Sequence, residues 1–110
     1  MPDAKLDLMQ GTLDIMVLQT LDVLGALHGY GIATLVNERS AGELTVEDAA
    51  LYQALHRLDR QGLVDAEWRA SENNRRARYY SITRAGRKAL GEEVAKWKRF
   101  AETVSIVLEK

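Results

Sequence analysis

The period of the apolar residues changes twice along this chain, and those changes limit the folds open to it. Up to Gly62 apolar side chains recur at the three- and four-residue spacing of helices; beyond it they alternate, and after Thr83 helical spacing returns. A helical pattern cannot be laid into a sheet, nor an alternating one into a helix, so a helical unit must lead into a hairpin and then a last helix. "MQGTLDIMVLQTLDVLG" puts Leu13, Met16, Val17, Leu21 and Leu24 on one stripe, with Thr12 the expected N-cap and Gly25 the stop. "HGYGIATLVNERS" begins at Gly29 after a very short turn, faces Ile32, Leu35 and Val36 inward, and ends at Ser40-Ala41-Gly42. "ELTV" reads as a short extended piece. "EDAALYQALHRLDRQG" is a third helix, with Leu51, Leu55 and Leu58 on its core stripe and Gly62 at its end.

The alternating part has two runs. "LVDAEWRA" sends Val64, Ala66 and Trp68 to the inner side and Asp65, Glu67 and Arg69 to the other. "ARYYSIT" alternates more loosely, with Tyr80 and Ile82 as its inward pair. "ENN" between them supplies residues that tolerate turn geometry, so the runs form a hairpin with Arg75, Arg76 and Arg78 at its tip and along its second strand. Two helices, a strand, a third helix and a hairpin in this order describe a mostly α fold, the winged helix-turn-helix, expected over residues 1–82. In that arrangement the third helix enters the major groove of duplex DNA while the second crosses the backbone.

From the cap-like Thr83, Leu90, Val94, Trp97, Ala101, Val104 and Leu108 recur at steps of four and three, a heptad seam on a helix expected over residues 83–110. A chain of 110 residues builds one core. These side chains exceed what it can bury alone, which predicts a homodimer held by the last helix within the same compact unit. Some of them could instead fold back onto the first helix.

Charge is unevenly placed. Met1 to Trp68 carries four basic and eleven acidic residues, whereas Arg69 to Lys88 carries seven basic and one acidic, so an overall charge of −1 hides a strongly cationic block. Such asymmetry points to a polyanion met by one face, and arginines beside a reading helix suit the phosphates of double-stranded DNA. On the third helix, the face opposite the core offers Tyr52, Gln53 and His56 for base contact and Arg57 for phosphate, though Arg57 or Arg60 could pair with Asp59 or Asp48 instead. Glu47 and Asp48 suit the helix dipole but repel phosphate. Tyr30 begins the second helix, where free N–H groups could hold a phosphate, or it packs on the wing.

Other classes are disfavoured. The chain has no cysteine, which excludes disulfides and thiolate metal sites and fits a reducing cytoplasm. His28 and His56 lie on different elements, so no metal site and no cofactor are expected, and Ser71, Ser81 and Ser105 lack a His–acid pair for catalysis. Asp3, Asp7 and Asp14, with no basic leader region, argue against a signal peptide, and no run of apolar residues is long enough for a membrane span.

"GTLDIMVLQTL", "HGYGIA", "LYQALHRLDRQGLV" and "NNRRARYYSITRAGR" resemble the PadR family of bacterial transcriptional regulators, over Leu8 to Leu90. The resemblance implies a winged-helix homodimer that represses promoters, with the dimer made by the C-terminal helix, and the short tail resembles the smaller subfamily. Ala50 and Gln53 depart from the family's "LYPAL" pattern. Gln can read an adenine edge where Pro cannot, so operator preference is expected to differ. Trp97, mid-seam, would meet its symmetry mate at a two-fold axis, where it either packs the interface or stacks on a small planar aromatic effector. The alternative to a DNA-binding regulator is a winged helix used as a protein–protein interaction module through its acidic half.

Overall fold

The computed structural model describes residues 10–70 and 73–109. Helix α1 (Gln10–Leu24) is followed by a two-residue strand β1 (Leu27–His28) and by α2 (Gly29–Arg39), α3 (Asp48–Arg60), β2 (Val64–Ala70), β3 (Arg76–Ile82) and α4 (Arg84–Leu108). The three strands form one antiparallel sheet in the order β1-β3-β2. No described helix is long and apolar enough to cross a membrane.

The core lies where α1, α2 and α3 meet the base of the hairpin. Leu13, Val17, Leu18 and Leu21 of α1 meet Ile32 and Val36 of α2 and Leu51, Ala54, Leu55 and Leu58 of α3, with Val64, Tyr80 and Ile82 closing it from the sheet. Burying such a cluster supplies the main driving force for the fold, at about 25 cal/mol per Å² of apolar surface. The turns that follow α1, α2 and α3 each hold a glycine at positive φ, Gly25, Gly42 and Gly62. α2 is capped by the His28 imidazole, whose Nδ1 accepts the Gly31 N–H at 3.1 Å.

Several expectations from the sequence need correction. Thr12 does not cap α1, because the helix is already formed at Gln10, and Leu24 is exposed at its far end. "ELTV" is not a strand. Its backbone is held instead by side chains of α2 and its C-cap, the Leu44 N–H donating to Ser40 Oγ at 3.0 Å and the Leu44 carbonyl accepting from Asn37 Nδ2 at 2.9 Å. The third strand is Leu27–His28, which pairs with Tyr80 and Tyr79 of β3. For the heptad seam, the fold-back alternative applies at its start: Leu90 belongs to its own chain's core at 6% exposure, and Val94 packs against that core.

α4 is fastened where it starts. Thr83 donates its N–H to the Leu63 carbonyl at 3.1 Å and its hydroxyl to the Gly62 carbonyl at 2.8 Å, while the same hydroxyl accepts the Gly86 N–H at 2.9 Å. Gly86 lies so close to Leu63 that a Cβ there would overlap the Leu63 carbonyl oxygen. The "TRAG" segment is thus a joint that seats α4 on the turn before β2. From it α4 runs back along α1, with Arg87 reaching Asp22 at 3.2 Å.

Candidate nucleic-acid interface

The hairpin is longer than the core beneath it. On one face of the β2–β3 pair, Val64 and Ile82 are opposite each other and buried, and Ala66 and Tyr80 come next. The same face then continues to Trp68 opposite Arg78 and Ala70 opposite Arg76, beyond the last core side chain. The predicted alternation therefore has the right phase, but Trp68 is 55% exposed and not a core residue. Its indole lies under two guanidinium groups, with Arg76 Cζ 5.3 Å and Arg78 Cζ 5.7 Å from the ring centroid.

Between this overhanging tip and α3 runs an open groove of about 800 Å³. Tyr52, His56 and Asp59 of α3 form one wall, Trp68 and Arg75, Arg76 and Arg78 the other, and Tyr30 stands at one end. Leu55, Gly29 and Tyr80 also line it. Gly29 lets Tyr52 lie close, since a Cβ there would come 3.2 Å from the Tyr52 hydroxyl and the ring would have to shift slightly. The wing wall carries three positive charges and the α3 wall one carboxylate, Asp59, so the groove is cationic on balance. Burial pushes the Tyr80 phenol above its ordinary value of 10.0, with Arg78 opposing and Tyr52 and Asp59 adding to the rise. Tyr80 is therefore a neutral group at the groove's inner end.

Six of the residues singled out from sequence thus share one groove: Tyr30, Tyr52, His56, Arg75, Arg76 and Arg78. Gln53 is exposed on α3 but outside the groove. Arg57 faces elsewhere, with its Nη2 2.7 Å and its Nε 3.4 Å from the carboxylate oxygens of Asp14 on α1. Both side chains of that pair are 20% exposed. The partner is on α1, and neither Asp48 nor Asp59, the acids weighed from sequence, takes this role. Trp68 and Asp59 were missed as groove residues. Trp68 alternates like a core position, and on sequence spacing Asp59 offers itself only as a partner for a basic residue on its own helix.

At the far end of the molecule, Trp97 lies 47% exposed beside Phe100. With Gly11, Thr12 and Ile15 of α1 they line a shallow hollow of about 240 Å³. Among the described residues no cluster of His, Asp or Glu is gathered that could hold a metal ion.

Three helices, a β wing and a cationic groove between wing and third helix define a winged-helix DNA-binding protein. Comparison with known proteins makes the assignment narrower. Residues 17–92 match the model of the Transcriptional regulator PadR-like family. Among solved structures, a PadR family transcriptional regulator from Eggerthella lenta is 29% identical, with a TM-score of 0.78, covering 92% of this chain and 85% of that one. A PadR-like transcriptional regulator from Bacillus cereus is 25% identical, with a TM-score of 0.74, covering 92% and 95%. A transcriptional regulator from Clostridium thermocellum has a TM-score of 0.82, covering 91% and 96%; at 23% identity it speaks to the fold alone. The chain belongs to the PadR-like family of transcriptional regulators, which regulate transcription through DNA and are not enzymes.

Proposed function

We propose that this protein represses transcription by binding operator DNA as a homodimer, with the exposed face of α3 in the major groove and the wing on the neighbouring backbone. The observation that carries this is the meeting of Arg75, Arg76 and Arg78 with Tyr52 and His56 around one groove in a chain that is net acidic outside the Arg69–Lys88 block. A backbone strand running through that groove would have guanidinium groups along one side and the reading helix along the other. In this reading Gln53, exposed on α3, reads a base edge, and Arg57 takes no part because Asp14 holds it.

The test is duplex binding as a function of salt. Affinity should fall with a log–log slope of about −0.9 per phosphate neutralised. Changing Arg75 and Arg76 to Ala should weaken all duplexes alike and flatten that slope by about one unit per lost contact. Gln53→Ala should instead cost about 1–3 kcal/mol on the preferred site and little elsewhere. A protein–protein interaction module would hold no duplex even at low salt.

The effector reading rests on Trp97 and Phe100, two exposed aromatic rings beside the hollow between α1 and α4. A planar aromatic compound stacked there should quench Trp97 and change DNA affinity. The response should vanish in Trp97→Ala, the signal from Trp68 serving as background.

A further inference from the structure

We infer that Trp68 is a positioning residue for DNA binding: a platform that holds Arg76 and Arg78 in their binding orientation before DNA arrives. The inference rests on the DNA-binding reading above and names the device that makes its arginines effective.

Arg76 and Arg78 are on the same face of β3 and both are exposed. Two arginines two residues apart on one strand face repel each other, and long exposed side chains would otherwise sample many rotamers. The Trp68 indole, directly across the ladder from Arg78 and diagonal to Arg76, offers its ring to both of them, with their Cζ atoms 5.7 and 5.3 Å from its centroid. An indole is the aromatic ring that attracts a cation best, and a guanidinium stacked on a ring keeps its N–H fork pointing outward at its edge. No carboxylate is within ion-pair distance of either arginine among the described residues, so the platform holds them without neutralising their charge. Arg69, by contrast, is paired with Glu67 at 2.6 Å and lies over Tyr79 on the opposite face. The two faces of the wing therefore treat their arginines differently: one masks its cation, the other presents two. Restricting a long side chain beforehand lowers the entropy lost on binding. Trp68 itself contributes little to the core, being more than half exposed, which leaves holding the arginines as its main contact.

The experiment uses the intact protein and a 30-base-pair duplex of mixed sequence at low salt, with Trp68→Ala, Trp68→Phe and Arg76→Ala compared to wild type. Trp68→Ala should weaken binding by about three- to tenfold, the factor expected for losing a stacked cation pair and its preorganisation. Its salt slope should stay that of the wild type, because the arginines still reach phosphate, whereas Arg76→Ala should flatten the slope by about one. Trp68→Phe should restore most of the affinity. Independently of DNA, NMR relaxation should find the Arg76 and Arg78 Nε–H bonds more ordered than that of Arg75, with the difference lost in Trp68→Ala. If Trp68→Ala binds like wild type, or flattens the slope as a collapsed wing would, or leaves Arg76 and Arg78 as ordered as before, the platform is overturned. If the wild type itself holds no duplex, the DNA-binding reading is overturned, and with it the purpose assigned to Trp68.

Discussion

Gly86 and Gly91 are five residues apart on one helix, and a methyl group should act on them in opposite directions. At Gly86 it would meet the Leu63 carbonyl and, at 2.7 Å, Ile82 Cγ1, neither of which is the free end of a flexible side chain. Gly86→Ala should therefore destabilise by about 1–3 kcal/mol, the usual cost of overpacking, read as a lower urea midpoint with an unchanged slope. At Gly91 nothing is within 4 Å, and alanine removes only the freedom of the unfolded chain; Gly91→Ala should stabilise by about 0.5–1 kcal/mol. Tyr80 gives a prediction in pH. Its pKa is raised by burial, so the neutral phenol is favoured in the fold. The stability it contributes is complete below the unfolded value near 10 and is lost as pH rises through the higher folded one. Urea midpoints should thus fall more steeply above pH 10 in the wild type than in Tyr80→Phe.

Between elements, the Arg57–Asp14 pair ties α3 to α1. Arg57→Ala should cost about 1 kcal/mol of stability, since the pair is only partly exposed, and should leave the salt slope of DNA binding unchanged. A flattened slope would return Arg57 to the phosphate contacts. The same pair shows where reading the sequence stops. Periodicity places Arg57 off the core stripe of α3, but whether it faces DNA or α1 depends on how the two helices cross, which no local pattern encodes. Strand β1 is two residues long and exists only because Tyr79 and Tyr80 offer it partners, so it carries no period to detect. Trp68 kept the alternation of a core residue, and its exposure follows from the length of hairpin left over past Ala66 and Tyr80. What could be read directly was what repeats: the extents of α2 and α3, the hairpin and its register face, and the arginines gathered at its tip.

For the molecule as a whole, the apolar surface is concentrated on the second half of α4. Trp97, Phe100, Val104, Ile106, Val107 and Leu108 are all exposed on this one helix. A surface of that kind is expected to be covered in solution. Sedimentation equilibrium at micromolar concentration should give a dimer, and Phe100→Asp combined with Val107→Asp should give a folded monomer with weakened operator binding. The joint at Thr83 then has a geometric consequence. Because α4 leaves the turn before the wing locked by three hydrogen bonds, its rotational phase at the far end is set by counting residues. One residue inserted after Val94, past the part of α4 that packs on the chain's own core, would turn everything beyond by about 100° and advance it about 1.5 Å, pointing the apolar side away from a partner. Seven would bring it back to within about 20°. Where two copies meet through this helix, the tail works like the tooth count of a gear: it tolerates change in whole steps, and the distance between the two reading helices is dialled in discrete increments.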